Sequence, residues 1–273
     1  MNIEKIKNYN QKMLAAFSTM IVMAAGIGLI ALIIFVISEL IPNKRPTTNT
    51  LLADEKVDEL KKDSLRQQII SYDSPRLVDT LNLIYLLPVN VKTLEKPEEM
   101  DKEVLGLLDM DYEMSSGRKF SGRRFYGAFN NLIVYDYKHG NSSKISDSRF
   151  IGTDLSFEYF DDEIIVVFTG AEKDTDKDKS ITLLDFKSLF VYSLKTGELK
   201  KLSIENATVN EFKYVENKKD ILITFGYDRN KNNKYDSDIE PTFVMKYDYM
   251  NDKLIPIVDK ELEKDIQKII DKN

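Results

Sequence analysis

The chain has 273 residues, of which 42% are hydrophobic and 31% are charged, so it carries enough apolar material for one large or two small packed domains. It has no cysteine and one histidine, His139, which excludes disulfide scaffolds, thiolate metal sites and any site that needs two histidines. Residues 1–50 hold five basic and two acidic side chains, whereas residues 51–273 hold 34 basic and 43 acidic ones. This acidic main part argues against a nucleic-acid partner.

An uncharged run of 26 residues, 13–38, dominates the N-terminal part of the chain. As a helix it would be about 39 Å long, which exceeds the hydrocarbon core of a bilayer at about 30 Å, and a helix satisfies its own backbone in lipid. The run is longer than the apolar region of a cleaved signal peptide and does not end in a small-residue cleavage site. It therefore predicts one transmembrane helix over 13–38.

The charges that flank this run predict its orientation. Three lysines precede it, and Lys44 and Arg45 follow it. The positive-inside bias then keeps residues 1–12 in the cytoplasm as a short flank and places the C-terminal part outside. We expect a single-pass protein of the cytoplasmic (inner) membrane with an extracytoplasmic, periplasmic domain. Residues 39–68 follow as a polar linker and a short charged helix.

The remaining part, 69–258, contains an internal repeat of short segments rich in β-branched and aromatic residues. The four segments of the first copy are 157–159, 164–168, 189–194 and 198–203. Those of the second copy, about 55 residues later, are 212–214, 221–225, 242–249 and 253–258. A partial copy covers 132–146, and 78–95 adds at least one strand. Each full copy predicts four antiparallel strands, and repeated sheets of this kind are typical of β-propeller blades.

The hairpin at 189–203, Leu-Phe-Val-Tyr-Ser-Leu-Lys-Thr-Gly-Glu-Leu-Lys-Lys-Leu-Ser, resembles the repeats of TolB-like and WD40-like bacterial propellers. The resemblance covers about residues 130–258; it implies a mainly β fold of propeller-like, four-stranded antiparallel units and says nothing about activity. The length available suits three to four blades, so we expect a partial or small propeller. A C-terminal amphipathic helix over 259–273 completes the predicted architecture.

Both full copies carry an acidic insertion between their second and third strands. In the first insertion, 174–185, oxygen-bearing residues alternate in the order of an EF-hand loop, and the loop resembles the dockerin variety. Its candidate calcium ligands are Asp174, Asp176, Asp178, Ser180, Thr182 and Asp185. Ser180 would offer its backbone carbonyl. Lys179 stands where the pattern has a glycine for a sharp turn, which is a departure from the family pattern.

The second insertion, 228–240, resembles the calcium loops of thrombospondin type 3 and related bacterial repeats, which end in Glu-Pro. Its candidate ligands are Asp228, Asn230, Asn232, Lys234, Asp236 and Glu240. Asn233 occupies the turn, where asparagine tolerates a positive φ. The alternative is that these are ordinary surface-loop residues. Matching spacing at the same point of two repeats favours calcium, bound weakly in a structural role.

The sequence contains no Gly-rich phosphate loop, nucleophile elbow or kinase signature, so we do not expect an enzyme. We expect an accessory or scaffold subunit of an envelope complex, with another membrane or envelope protein as its partner. The basic cluster at 117–126 is one candidate contact. The C-terminal helix is expected to pack on the β domain or to enter a partner groove. The alternative function is a membrane-tethered hydrolase of surface glycans or peptides, which needs a cleft where two carboxylates converge.

Overall fold

A computed structural model describes residues 50–62, 68–93 and 119–272, together with positions 13, 14, 17, 20, 23 and 26. The chain divides into two compact units, Met1–Thr47 and Thr48–Asn273. In the first unit the six described positions are helical. No helix among the described residues is long and apolar enough to cross a membrane. The predicted flank 1–12 and most of the predicted span 13–38 lie outside the described residues.

The described part of the second unit is mainly β, as predicted. Its strands are β1 (Leu51–Leu52), β2 (Gln68–Tyr72), β3 (Arg76–Asp79), β4 (Ile84–Thr93), β5 (Lys119–Ser121), β6 (Arg124–Tyr126), β7 (Asn131–Asp136), β8 (Asn141–Lys144), β9 (Ile151–Tyr159), β10 (Ile164–Ala171), β11 (Ser180–Ile181), β12 (Ser188–Ser193), β13 (Leu199–Leu202), β14 (Ala207–Tyr214), β15 (Ile221–Tyr227), β16 (Thr242–Asp248) and β17 (Lys253–Pro256). Its helices are α1 (Asp54–Lys62) and α2 (Lys260–Asp271).

Three antiparallel sheets form the body of this unit. The first sheet has the order β2-β4-β7-β8, with β3 also paired to β4; the second has the order β13-β12-β10-β9-β6-β5; the third is β14-β15-β16-β17. The first copy of the predicted repeat is the run β9, β10, β12 and β13 within the second sheet. The second copy is the whole third sheet. The prediction of four antiparallel strands in each copy is therefore confirmed.

The second sheet is packed on both of its faces. On strand β10, Val166 and Phe168 join a buried cluster with residues of the first sheet, including Leu86. The intervening residues Ile165 and Val167 join a second cluster with residues of the third sheet, such as Ile223 and Phe225. Because successive side chains of a strand point to opposite faces, this alternation places the second sheet between the other two. The continuous apolar run of β10 follows from burial on both faces.

Two elements depart from the predicted organisation. Strand β1 lies in the range 39–68, which was predicted to hold only a linker and a helix, and it pairs with β11 through Leu51 and Ile181. Helix α2 begins after the N-cap Asp259, whose side chain accepts hydrogen bonds from the next turn. Its bounds agree with the predicted helix, but none of its residues is buried. The expectation that this helix packs on the β domain is therefore not met.

Candidate metal-binding loops

The two acidic loops occupy equivalent places in the two repeats. The first loop, 174–185, connects β10 to β12 and contains β11; the second loop, 228–240, connects β15 to β16. If Asp174 and Asp228 are each counted as position 1, corresponding residues of the two loops can be compared directly.

In the first loop, the aspartate carboxylates accept hydrogen bonds from backbone amides of the same loop. Asp174 accepts hydrogen bonds from the amide of Asp178 at 3.1 Å and from that of Lys179 at 2.7 Å. Asp176 also accepts from the Asp178 amide, at 3.2 Å. Asp178 in turn accepts from the amide of Ser180 at 3.0 Å. The side chains at positions 1, 3 and 5 therefore hold the amides of positions 5, 6 and 7.

Asp185 closes the first loop from its far end. One carboxylate oxygen accepts from the amides of Thr175 at 2.6 Å and Asp176 at 3.3 Å, and the other accepts from the Thr182 amide at 2.7 Å. Asp185 is only 1% exposed. Burial raises the pKa of its carboxyl above the ordinary value, and the hydrogen bonds from Thr182 and Thr175 only partly oppose this. A bound cation would stabilise the charged form.

The second loop repeats the first network with different side chains. Asp228 accepts from the amides of Asn232 at 3.2 Å and Asn233 at 2.8 Å. Asn230 accepts from the Asn232 amide at 2.9 Å, and Asn232 accepts from the Lys234 amide at 2.8 Å. Positions 1, 3 and 5 therefore hold the same amides as in the first loop.

Glu240 closes the second loop as Asp185 closes the first. Its carboxylate accepts from the amides of Arg229 at 3.0 Å, Asn230 at 3.3 Å and Asp236 at 3.0 Å, which are positions 2, 3 and 9. Glu240 lies one position later than Asp185 does, and the longer glutamate side chain spans the added residue. Asp228 and Glu240 are buried, at 1% and 8% exposure.

The backbone of the two loops turns at the same positions. Lys177 and Lys231, at position 4, have φ of 60° and 59°. Lys179 and Asn233, at position 6, have φ of 70° and 63°. The turn predicted at position 6 therefore forms in both loops. In the first loop a lysine adopts the left-handed conformation that glycine would adopt more readily.

Three carboxylates of the first loop converge. Oxygen atoms of Asp174, Asp176 and Asp185 all lie within 4.8 Å of one another. Asp178 is not one of these three; it accepts a hydrogen bond from the Ser180 amide. The Thr182 hydroxyl donates to Asp185 at 3.4 Å. Carboxylate, hydroxyl and carbonyl oxygens are the ligands that calcium prefers, so this donor set fits calcium.

In the second loop, the side chains of Asp228 and Glu240 are buried. Asn230, Asn232, Lys234 and Asp236 are exposed. Asp236 accepts from the Asp238 amide at 2.9 Å. Carboxylate and amide oxygens are of the kind that calcium binds. Among the described residues, however, only the first loop brings three carboxylates together. Calcium at either loop remains a prediction.

The residue at position 8 anchors each loop to the sheets. Ile181 is 2% exposed and packs with Leu51, Ile151 and Ala171. In the second loop, the ring of Tyr235 lies directly on Gly226 of β15, where a Cβ atom would overlap the ring. The contact of Tyr235 with Gly226 depends on the folded sheet.

Glu163 forms a polar cluster away from the loops. Its carboxylate, in a side chain that is 7% exposed, accepts from the Ser193 hydroxyl at 2.6 Å, from the Lys219 ammonium at 2.6 Å and from the Tyr249 hydroxyl at 3.2 Å. Burial disfavours its charged form, but the hydrogen bonds from Lys219 and Ser193 outweigh burial and lower its pKa. These bonds join turns of the second and third sheets.

Two cavities in the described part of the chain bear on the hydrolase alternative. One, of about 250 Å³, is lined by Glu163 and Glu198 among others. Glu163 is already engaged by three donors. The other, of about 310 Å³, includes Asp154 and Glu211 in its lining. Asp154 accepts from Thr169 at 3.2 Å, and Glu211 is paired with Lys213 at 3.1 Å. Whether the chain is an enzyme stays a prediction.

The basic cluster at 117–126 lies partly outside the described residues. Within it, Arg123 forms an ion pair with Glu158 at 2.6 Å and stands over the ring of Tyr159, 5.3 Å from its centroid. Arg124 lies on β6 and is exposed. Arg123 thus contacts its own sheet through both Glu158 and Tyr159.

Comparison with models of known protein families gives no match, and comparison with curated proteins gives none either. Among solved structures, the chain is similar to TolB from Acinetobacter baumannii, with 10% sequence identity and a TM-score of 0.18. The match covers 80% of this chain and 64% of TolB, so the chain spans less than two thirds of that protein's length. A TM-score this low does not establish a common arrangement of the sheets.

Proposed function

We propose that this chain is a membrane-anchored, extracytoplasmic calcium-binding protein of propeller-like fold that serves as an accessory or scaffold subunit of an envelope complex. The observation that carries the proposal is the identical hydrogen-bond network of the two loops. The two loops lie at the same point of two repeats and hold the same amides from the same positions. A ligand shared by both loops would account for this repetition.

The propeller-like arrangement is supported by connectivity. In each full repeat the strands follow one another as an antiparallel meander, and the second sheet packs against a neighbour on each face. A sheet that buries its faces only against the next sheet is the unit from which propellers are built. Loops at the edges of such a stack present surfaces to a partner.

The ion's proposed role is structural. Asp174, Asp176 and Asp185 would hold it in the first loop, and Asp228 and Glu240 with the neighbouring amide oxygens would hold it in the second. When bound, calcium supplies positive charge that neutralises the gathered carboxylates. The residues of the chain contribute the rest: they orient the oxygens and fix the loop backbone through the amide bonds described above.

Thermal unfolding of the full chain in mild detergent tests the calcium part. A ligand that binds the folded state raises the melting temperature by mass action, so several millimolar calcium should raise it relative to chelator. Asp174→Ala and Asp228→Ala should each remove part of this rise. Asp147→Ala, at an exposed aspartate outside the loops, is the control and should keep it. Equal melting with calcium and chelator would contradict the proposal.

Protease accessibility tests the proposed topology, which is supported by the lysines before the predicted span. Protease added to intact spheroplasts should remove the domain that begins near residue 51. Digestion only after lysis would reverse the assignment.

Purification in mild detergent tests the scaffold role, and a second membrane protein should accompany the chain. A lone protein that hydrolyses a glycan or peptide through a carboxylate outside both loops would favour the hydrolase instead.

A further inference from the structure

Helix α2 carries an apolar face that nothing in the described structure covers. Leu262, Ile266, Ile269 and Ile270 are 50%, 46%, 76% and 68% exposed. Their spacing places them on one face of the helix. A helix of 12 residues is marginal in water by itself and normally gains its stability by packing an apolar face. None of the residues of α2 is buried, so its apolar face gains little such packing within the described part of the chain.

The charges around this face indicate which kind of surface it suits. At 100° per residue, Glu263 and Asp265 border the apolar face, whereas Lys260, Lys264 and Lys268 lie on the opposite side. Helices that lie on anionic membranes carry lysine or arginine next to a strongly apolar face. The acidic borders of α2 disfavour such a membrane and favour an apolar protein surface that carries a basic residue.

The outer face of the first sheet carries apolar side chains that are half-buried, among them Tyr85, Ile133 and Tyr135. Tyr85 pairs with Tyr135 across strands β4 and β7, so both side chains lie on one face. Neither these two residues nor Leu87 and Ile133 belong to any of the three hydrophobic clusters of the described residues. At the edge of the same face, Tyr72 is 55% exposed.

This face also carries a basic side chain. Lys144 on β8 pairs directly with Ile133 on β7 and therefore lies on the outer face. Its side chain is 63% exposed and forms an ion pair with the exposed Asp147 at 2.6 Å. An acidic residue that borders the apolar face of α2 can compete for this ammonium at little cost, since an exposed ion pair of this type contributes little stability.

The helix and this face belong to opposite ends of the stack. Helix α2 follows β17 of the third sheet after a connection of three residues, 257–259. Such a connection spans about 10 Å, whereas packed sheets lie about 10 Å apart and the second sheet intervenes. The connection is too short to lay α2 flat on the outer face of its own first sheet.

We propose that α2 of one copy docks on the outer face of the first sheet of a second copy, with Leu262, Ile266 and Ile269 against the Tyr85, Ile133 and Tyr135 surface. Glu263 or Asp265 then lies beside Lys144. Because donor and acceptor are different surfaces, the contact is head-to-tail and produces rings or chains of copies. The proposal does not depend on calcium.

The absence of cysteine in the sequence allows a test without background. Two full-length variants with different tags, Ile266→Cys and Ile133→Cys, are co-expressed and mildly oxidised in the membrane. The proposal predicts a disulfide-linked species that carries both tags. Lys264→Cys, on the opposite side of α2, replaces Ile266→Cys as the control and should give at least fivefold less of this species. Equal cross-linking from both positions, or none from Ile266→Cys, would overturn the proposal.

A charge reversal tests the same contact independently. Lys144→Glu in the copy that carries Ile133→Cys should lower the cross-linked fraction severalfold at low salt, and less at high salt. Adding Glu263→Lys and Asp265→Lys to the other copy should restore it. Flotation of the wild-type chain on neutral and on anionic vesicles covers the lipid alternative. The contact would be with a membrane and not with a second copy if the chain preferred anionic vesicles, if this preference depended on Ile266, and if no cross-link formed.

Discussion

The ammonium of Lys234, in the second acidic loop, lies 3.5 Å from a carboxylate oxygen of Asp176 in the first acidic loop. The Asp176 side chain is 7% exposed, whereas that of Lys234 is 62% exposed. A side chain of one proposed calcium loop therefore reaches the carboxylate group of the other. The two loops are adjacent in the stack although 58 positions separate these residues in the sequence.

Removing this lysine should strengthen calcium binding by the first loop. The Lys234 ammonium partly neutralises Asp176, so calcium has to compete with it. We expect Lys234→Gln to raise the calcium affinity of the first loop by about two- to fivefold at low salt, a modest effect because the lysine is exposed. Calcium titration of the full chain with Glu240→Gln as background isolates the first loop. Lys231→Gln, with the same charge change in the same loop, should leave the affinity unchanged, and equal effects of both variants would contradict a specific Lys234 contact.

Glycine at position 6 of the first loop should stabilise the protein. Lys179 has a φ of 70°, where a residue with a Cβ costs about 1 kcal/mol more than glycine. Part of this gain is offset by the larger conformational freedom of glycine in the unfolded chain. We expect Lys179→Gly to raise the free energy of unfolding by about 0.5 kcal/mol, measured by urea denaturation with calcium absent. Lys173→Gly, at a residue without positive φ, should lower it, and a loss of stability in both variants would contradict the strain at Lys179.

The contact between Tyr235 and Gly226 should make this glycine intolerant of any side chain. A Cβ at position 226 would overlap the tyrosine ring, so Gly226→Ala should lower the free energy of unfolding by about 1–3 kcal/mol. Removal of the ring in the double variant Gly226→Ala with Tyr235→Ala should recover much of this loss. A double-mutant cycle measures the coupling, and strictly additive effects would show that the ring does not rest on the glycine.

The Glu163 cluster should contribute stability over a defined pH range. The pKa of Glu163 is lowered in the folded protein, so its contribution is present above the ordinary glutamate pKa and is lost as the pH falls through the folded value. The pKa of Lys219 is raised, mainly because its bonds to Asp162 and Glu163 outweigh burial; its contribution is therefore lost only as the pH rises above the ordinary lysine pKa.

Replacing Lys219 should expose this dependence. Lys219→Met leaves Glu163 buried without its cation and should lower the free energy of unfolding by about 1–3 kcal/mol at pH 7. This loss of stability relative to the wild type should shrink as the pH falls from 6 to 3, because Glu163 then takes up a proton. Urea denaturation of both proteins at several pH values measures the loss. A difference that does not change with pH would assign the effect to lost packing instead.

The strands that the sequence predicted are those whose β-branched and aromatic residues are bounded by turn residues, such as 164–168 and 221–225. The starts of β9 and β14 were predicted several residues too late. Both strands contain a register shift, which interrupts the alternation that marks a strand. In β9 the shift lies opposite Val167 and Thr169 of β10, and in β14 it lies between Val209 and Glu211. Polar residues at these points, such as Asn210, make the first part of the strand hard to recognise in the sequence.

Long-range pairings could not be read from the sequence. The attachment of β6 to β9 joins Arg124 to Ser156, and β1 joins Leu51 to Ile181 across 130 positions. Both pairings depend on how distant parts of the chain come together in the folded protein. For α2, the apolar periodicity indicates that one face needs a partner, but it does not indicate which surface provides it.

The local folding of the two loops was easier to predict, because alternate oxygen-bearing side chains accept hydrogen bonds from nearby backbone amides. Asp185 and Glu240, which bond amides near the start of each loop, occupy the last position of the predicted ligand pattern. The contact of Lys234 with Asp176 was not predictable, since it depends on how the two repeats pack.

Equilibrium dialysis of the full chain in mild detergent against radioactive calcium measures how many ions the two loops bind. We expect about two calcium ions per chain at saturation, with affinities on the order of 10⁻⁴ M. Asp185→Asn and Glu240→Gln should each reduce this number to about one, the double variant should bind none, and Asp147→Asn should retain two. No saturable binding by the wild type, or two ions still bound by the double variant, would contradict the assignment of both loops.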